Sequence, residues 1–229
     1  MQPSLIKLTQ PTMTILITNP NYDDTTGYLY YYTKKLLKFI ELKGIKHIEV
    51  KRPKLRRGEV ENYIIKNKPS LILLNGHGDD KTVYGDRING VEEPIIEEGK
   101  NHLLLQGKLV YARSCWAARS LGKKCTHDGG CFIGYDVPFQ FWVDERMSIP
   151  PKDKTAELFL EPSNLLAKTL IKGNSAIEAV RKSREKSKEN IMSLLKKKKE
   201  PGTMSKIMVL WNNMQGQKIL GDINMRYSS

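Results

Sequence analysis

The sequence predicts an α/β fold, a three-layer α/β/α sandwich built on a mostly parallel sheet. Short apolar, β-branched segments alternate along the chain with longer segments whose apolar residues recur at helical spacing. Residues 71–74 are apolar at every position, which is typical of a central parallel strand covered on both faces. With 229 residues, the chain from 1 to 229 fits one domain that buries a substantial core.

The individual elements follow from apolar periodicity and from turn residues. Strands are predicted at 13–18, 47–51 (an edge strand, since polarity alternates), 71–74, 109–115 and 131–135. Helices are predicted from a cap at Asp24 or Thr25 to about residue 43, and at 58–67, 94–105, 152–171 and 174–198. Residues 206–212 and 217–222 are interpreted as a closing pair of strands, joined by a hairpin at 213–216.

The net charge of +13 is concentrated in two clusters. Residues 181–199, within a predicted basic helix and loop at 181–200, carry nine Lys or Arg against two Glu, and a second basic cluster lies at 51–57. Such patches bind nucleic acid or an acidic partner, or they form solvated lysine-rich faces. No nucleic-acid-binding motif accompanies the charge, so the solvated face is favoured and nucleic acid is the least favoured partner.

Cysteine number and hydropathy bound the environment of the protein. Three cysteines (Cys115, Cys125 and Cys131) argue against a disulfide framework, and their spacing with His127 lacks the short pairs of zinc motifs. We therefore expect no metal and no cofactor. No apolar run approaches the roughly 20 residues that span a bilayer, and a signal-peptide pattern is missing. A cytoplasmic protein without membrane contact is expected.

A histidine and a cysteine follow the two most apolar strands. His77 ends the run at 71–76, and Cys115 ends the next core strand, 38 residues downstream. Because parallel strands joined by crossovers present their carboxyl ends at one edge, both side chains should meet in one crevice. A thiol needs a base or a positive environment to become a nucleophile, and the imidazole would supply it.

Glycines surround the histidine. Gly76 and Gly78 would let the backbone turn sharply and let a substrate approach closely. The amides of Gly78 and Cys115 would then be free to stabilise a tetrahedral oxyanion. The segment does not fit a dinucleotide fingerprint, and the chain has no phosphate loop or serine-centred elbow.

At these residues the chain resembles the caspase-like cysteine peptidases, the superfamily of caspases, metacaspases, gingipains, separases and CHAT domains. In the family, an apolar strand ends in His-Gly and a later one ends in a small residue and Cys, as residues 71–78 and 109–115 do here. Residues 130–135 look like the next strand of CHAT-type members, and 219–222 is similar to a Gly-Asp signature that closes the sheet. The resemblance covers roughly residues 12–222.

The resemblance implies a caspase-like fold and a cysteine peptidase. His77 would be the base and Cys115 the nucleophile, with no required third residue or cofactor. The partner of the site would be a protein or peptide substrate. Small members of the superfamily are often effectors controlled by a separate sensor or regulatory protein, which this chain could also have.

Substrate specificity is predicted from residues near the cysteine. Arg113 lies two positions before Cys115 and so shares its strand face, where the resembling families build a specificity pocket. An arginine there favours an acidic residue before the scissile bond. Asp136 emerges at the same edge and could instead select a basic residue, or form a structural ion pair with Arg113.

Aromatic residues follow the strand after the cysteine. Phe139 and Trp142, with Phe141 between them, fall where caspases build outer substrate subsites, so they are candidate substrate-binding residues. A subunit interface or ordinary packing beneath the helix at 152–171 would also account for them.

Three functions remain open at this point. The leading hypothesis is a cysteine endopeptidase. The second keeps the fold without turnover, as an interaction module or an effector awaiting a partner. The third is a basic nucleic-acid-binding protein in which the Cys–His pair is incidental.

Overall fold

The computed structural model describes residues 13–145 and 149–227. In chain order, its strands are β1 (Ile15–Thr18), β2 (His47–Val50), β3 (Leu71–Asn75), β4 (Thr82–Ile88), β5 (Val91–Glu97), β6 (Leu109–Arg113), β7 (Cys131–Tyr135) and β8 (Gln217–Gly221). Its helices are α1 (Asp24–Leu42), α2 (Arg57–Asn67), α3 (Leu121–Cys125), α4 (Lys154–Ile171), α5 (Ala176–Leu195) and α6 (Thr203–Gly216). Short 3₁₀ helices lie at His102–Leu105 and Pro150–Lys152.

A six-stranded sheet runs through the centre in the order β2-β1-β3-β6-β7-β8. The first five strands of that order are parallel and β8 is antiparallel to β7. The α/β class with a mostly parallel sheet is therefore confirmed, and β2 is an edge strand as predicted.

Both faces of the sheet are covered. Side chains alternate along each strand, so Ile15 and Ile17 pack with α1, α4 and α5, whereas Leu16 packs on the opposite face with α2 and the β4–β5 segment. Fully buried strands explain the unbroken apolar runs of β3 and β6. This arrangement is compatible with three layers. Among the described residues, no helix is both long and apolar enough to cross a bilayer.

The predicted helix at 94–105 is wrong. That region contains β5, which pairs with β4 in a two-stranded antiparallel hairpin, followed by the short 3₁₀ helix. The turn is Asn89-Gly90 with φ of 51° and 83°, as a type I′ hairpin turn requires. Ile95 and Ile96 are fully buried against the core, which stabilises strand over helix. The Asn-Gly pair was the sequence signal for this hairpin.

The predicted strand at 206–212 and its hairpin at 213–216 are also wrong, because both lie within helix α6. The run Ile207-Met-Val-Leu-Trp211 is apolar at every position, so it fits a strand as well as a helix. The structure buries Leu210, Asn213 and Met214, which share one helical face by their spacing of three and four. β8 then follows α6 directly.

Candidate active site

His77 and Cys115 follow neighbouring strands in matching register. Asn75 of β3 pairs with Arg113 of β6, and each candidate residue lies two positions beyond its member of that pair. The strands stay tied past their ends, because the Gly76 amide donates to the Arg113 carbonyl (3.4 Å) and Ser114 Oγ donates to the His77 carbonyl (2.9 Å). The structure therefore brings the two residues to one edge of the sheet, as the sequence predicted.

The imidazole of His77 is anchored by a carboxylate that sequence analysis missed. Its Nε2 donates to Asp23 Oδ2 at 2.9 Å. Asp23 is the N-cap of α1, in place of the predicted Asp24 or Thr25, and its Oδ1 accepts from the Thr26 amide (2.8 Å). The signal was an aspartate followed three residues later by a threonine, a capping-box arrangement.

The charge of Asp23 follows from these contacts. Burial raises the pKa of this carboxyl, but hydrogen bonds from Thr26 and His77 stabilise the anion and lower the pKa overall. An ionised carboxylate only accepts, so the imidazole proton lies on Nε2. In the neutral ring Nδ1 is then the basic nitrogen, and within the described residues no hydrogen bond engages it.

The β4–β5 hairpin adds a second carboxylate. Glu92 lies 3.9 Å from His77 Nε2, and its Oε1 accepts from the Tyr22 hydroxyl at 2.8 Å. Donor atoms of Asp23, His77 and Glu92 lie within 4.8 Å of one another, close enough to share a metal ion. The Arg87 guanidinium already supplies positive charge there, 3.8 Å from Asp23 and 3.6 Å from Glu92.

Gly76 and Gly78 leave no room for a side chain, because neighbouring atoms of the protein occupy the space. Gly76 has a φ of 145°, and a Cβ there would lie 2.2 Å from the Tyr84 carbonyl oxygen. A Cβ on Gly78 would lie 2.0 Å from Ser114 Oγ. The glycines thus allow the β4–β5 hairpin and the end of β6 to approach the His77 segment, whereas the close approach of a substrate stays a prediction.

The thiol of Cys115 is half-buried and is hydrogen-bonded away from the imidazole. Its Sγ points to the Phe139 carbonyl oxygen at 3.9 Å, and within the described residues no hydrogen bond joins it to His77. Burial raises the pKa of this thiol, and the hydrogen bond to Phe139 offsets only part of that effect. The cysteine is therefore a neutral thiol at neutral pH in this conformation.

The backbone around Cys115 offers amide donors. Trp116 has a φ of 56°, an uncommon conformation for a non-glycine residue, and its amide donates to the Val137 carbonyl at 3.1 Å. Across 13–145 and 149–227, the amides of Gly78 and Cys115 donate no hydrogen bond. Neither amide is engaged by the residues that the structure describes, which is compatible with the oxyanion role, and that role stays a prediction.

Arg113 does not line an open pocket. It is 2% exposed, and its three guanidinium nitrogens donate to Asn75 Oδ1, Asn164 Oδ1 and Thr33 Oγ1, each at 2.7 Å. Burial lowers the pKa of this guanidinium, although nearby Tyr111 and Tyr135 oppose that effect. Arg113 is therefore not accessible to a substrate, and the expected selection of an acidic residue through its guanidinium is not supported.

The ion pair between Arg113 and Asp136 is also not formed. Asp136 lies 3.3 Å from Lys218 of β8 instead, because β7 and β8 are neighbours while Arg113 turns into the core. No carboxylate in the described part of the chain lies within salt-bridge distance of Arg113.

The two candidate aromatic residues differ in position. Phe139 is 8% exposed and packs on Tyr135 with ring centroids 4.7 Å apart, so its side chain belongs to the core and only its backbone faces Cys115. Trp142 is 42% exposed and remains accessible to a ligand.

The cysteine–histidine zinc arrangement weighed from spacing is not assembled. Cys125 and Cys131 are free and buried in clusters on opposite faces of the sheet, and His127 is exposed beside Asp128. Burial, with a nearby acidic group in each case, raises the pKa of both thiols to about 12. They are inert core residues.

No family model matches the chain, and no curated protein gives a significant match. The geometry of the site is therefore the basis for assigning a function.

Replacing Arg113 should destabilise the protein strongly. In Arg113→Leu, the buried acceptors on Asn75, Asn164 and Thr33 lose their donor, and leaving buried polar groups unpaired costs about 1–3 kcal/mol each. We expect the free energy of unfolding in urea to fall by about 3 kcal/mol or more. Arg119→Leu removes an exposed arginine and should cost well under half as much; equal losses would contradict the role assigned to Arg113.

Alkylation of Cys115 should depend steeply on pH. Because its pKa lies above the usual thiol range, the thiolate fraction is small at pH 7 and rises about tenfold per pH unit. The iodoacetamide rate, measured by mass spectrometry of the Cys115 peptide, should climb from pH 7 to pH 9 without a plateau. Cys115→Ser reports the background from the two buried cysteines. A flat rate near neutral pH would instead indicate a preformed thiolate–imidazolium pair.

Proposed function

We propose that this protein is a cysteine peptidase of the caspase-like type, with Cys115 as nucleophile and His77 as general base. The observation that supports this most is the register: the two residues occupy matching positions past adjacent parallel strands. That edge is where open α/β sheets bind ligands. The order of the elements and the antiparallel closing strand β8 are consistent with the proposal.

The reaction proceeds through an acyl-enzyme. Nδ1 of His77 takes the thiol proton as Sγ of Cys115 attacks the substrate carbonyl carbon and forms a C–S bond. The carbonyl oxygen becomes an oxyanion, which the Gly78 and Cys115 amides stabilise. The imidazolium then protonates the leaving amine as the C–N bond breaks. Water, deprotonated by His77, attacks the thioester carbon, and the C–S bond then breaks to release the carboxylic acid product. The imidazolium returns its proton to the Cys115 sulfur, which restores the free thiol.

Asp23 has a positioning role in this scheme. Its hydrogen bond to Nε2 fixes the tautomer in which Nδ1 is basic, and its negative charge stabilises the imidazolium that forms during the reaction. Since Asp23 also caps α1, the helix and the imidazole are oriented by the same carboxylate.

A second candidate function is a partner-activated or non-catalytic module of the same fold. The thiol that bonds the Phe139 carbonyl, and the raised pKa of that thiol, favour it. Catalytic hydrogen bonds are often absent before substrate binds, so this geometry fits an enzyme in its resting state as well.

An acidic cleft that shares Asp23 with the site favours a basic substrate over an acidic one. A cleft of about 650 Å³ lies beside the start of α1, and its acidic lining residues are Asp23, Asp24, Asp144 and Glu145. Tyrosine rings from α1 complete its walls. Such a cleft suits the side chain of lysine or arginine, whereas Arg113 is buried.

Nucleic acid binding is less well supported. Arg181 and Lys182 of α5 pair with Glu185 and Glu178, and Arg52 and Arg57 of the other basic cluster pair with Asp86 and Glu97. These pairs reduce the free positive charge that would contact phosphates.

Covalent labelling tests the proposed dyad. Peptidyl acyloxymethyl ketones ending in Arg, Asp or Leu should label the wild type, fastest with Arg, and should not label Cys115→Ala. His77→Ala should slow labelling by about a hundredfold or more, since it removes the base. His127→Ala, which changes an exposed histidine, should label at the wild-type rate. Labelling that is indifferent to His77 in a folded sample would overturn the dyad.

Asp23→Asn tests the positioning role. Asparagine keeps an oxygen to cap α1 but does not stabilise the imidazolium, so kcat for an arginyl amide should fall about tenfold or more with KM little changed. Asp128→Asn is the matched control, because Asp128 contacts His127 at 2.8 Å in an exposed Asp–His pair. A change confined to KM or to thermal stability would show that Asp23 is only structural.

A further inference from the structure

Helix α6 presents an unpartnered apolar stripe to solvent. Met204, Met208 and Trp211 are 54%, 62% and 52% exposed, and their spacing of four and three places them on one face of the helix. Large apolar side chains aligned at this spacing on a helix surface are typical of a face that receives another helix. We refer to these three residues as the α6 stripe.

The chain beside the stripe is basic and also apolar. α5 packs on α6 through Leu194 and Leu210 and exposes Met192 and Leu195 near its end. The loop that joins the two helices contains four exposed lysines, Lys196–Lys199, and a single glutamate, Glu200. Within α6 itself, Lys206 is the one charged residue. A partner on this surface is therefore expected to combine apolar anchors with negative charge.

The opposite face of α6 leads to Cys115. Asn213 donates from Nδ2 to the Gln140 carbonyl (2.6 Å), and its Oδ1 accepts from the Gln140 amide (3.1 Å). Gln140 follows Phe139, whose carbonyl accepts from the Cys115 thiol. The carbonyl of Gly216, at the end of α6, accepts from the Asp136 amide at 2.9 Å. One helix thus holds the segment that holds the thiol.

We propose that the α6 stripe is the docking site for an acidic amphipathic helix of a separate regulatory protein, and that docking changes the reactivity of Cys115. The occupant is argued from charge complementarity: apolar side chains on its inner face would meet the stripe, and its Glu or Asp residues would meet Lys196–Lys199. Methionine side chains adapt to such anchors. The docking surface is independent of the proposed peptidase function, whereas the effect on catalysis rests on it.

Binding is tested with stapled helical peptides on the full chain. The probe has leucines at i, i+4 and i+7 with flanking glutamates and a fluorescein label, and the comparison peptide has lysines in place of the glutamates. Fluorescence anisotropy should show at least about tenfold tighter binding of the acidic peptide at low salt, since opposite charges attract. Met208→Glu and Trp211→Glu should each weaken binding about tenfold. Leu42→Glu, at a residue 77% exposed on α1, should not.

The other outcomes overturn the assignment. Equal affinity for both peptides, or binding unchanged by Met208→Glu, would remove the α6 stripe as the site. If the protein binds anionic phosphatidylglycerol vesicles but not the acidic peptide, the α6 stripe is a membrane-binding surface. Sedimentation that shows self-association lost in Met208→Glu would indicate a second copy of this chain.

The coupling to Cys115 is measured separately. Saturating acidic peptide should change the iodoacetamide rate of Cys115 about fivefold or more at neutral pH, the scale of ordinary allosteric coupling. Asn213→Ala, checked by thermal unfolding, should keep peptide binding and lose that change, because it removes the bonds to Gln140. Binding without any change in rate would overturn the coupling. Alkylation of Cys115 does not require peptide hydrolysis. A protein that docks the acidic peptide but hydrolyses no substrate would therefore still show the change in alkylation rate.

Discussion

The guanidinium of Arg113 connects the elements on which the site is built. It ends β6 two residues before Cys115 and donates to Asn75 at the end of β3, to Thr33 of α1 and to Asn164 of α4. Burying a cation away from water is costly unless its donors are satisfied, and here three neutral oxygens satisfy them. The strand ends that position the thiol and the imidazole are therefore fixed relative to the helices on one face of the sheet.

The same network extends to the start of α1. Asn75 Nδ2 donates to the Thr18 carbonyl at 2.6 Å, where β1 ends, and the chain then leads to Asp23. Three parallel strand ends thus converge, each followed by one part of the site: a carboxylate after β1, an imidazole after β3 and a thiol after β6. The carboxylate is held by the helix cap and the imidazole by the carboxylate, whereas the thiol makes a single weak hydrogen bond to the residues that the structure describes.

The features that could be predicted from the sequence are those whose signals lie within a few neighbouring residues. The buried strands, and the position of His77 and Cys115 at one edge of the sheet, could be predicted because apolar runs and the residues that end them are recognisable over a few positions. Helix α6 was mistaken for a strand because its apolar run fits both periods, and tertiary packing of Leu210 and Met214 decides between them. Arg113 was misplaced because sequence spacing gives a strand face but not the three acceptors that draw it into the core.

The hydrogen bond that holds the Cys115 thiol in its observed position is weak. A weak hydrogen bond from sulfur at 3.9 Å contributes about 1 kcal/mol or less, whereas the charge-assisted bond from His77 to Asp23 is worth about 1.5–3 kcal/mol. A movement of the segment around Phe139 therefore releases the thiol without disturbing the imidazole. Since α6 holds that segment through Asn213, the proposed docking on α6 would act on the same segment that accepts the hydrogen bond of the Cys115 thiol.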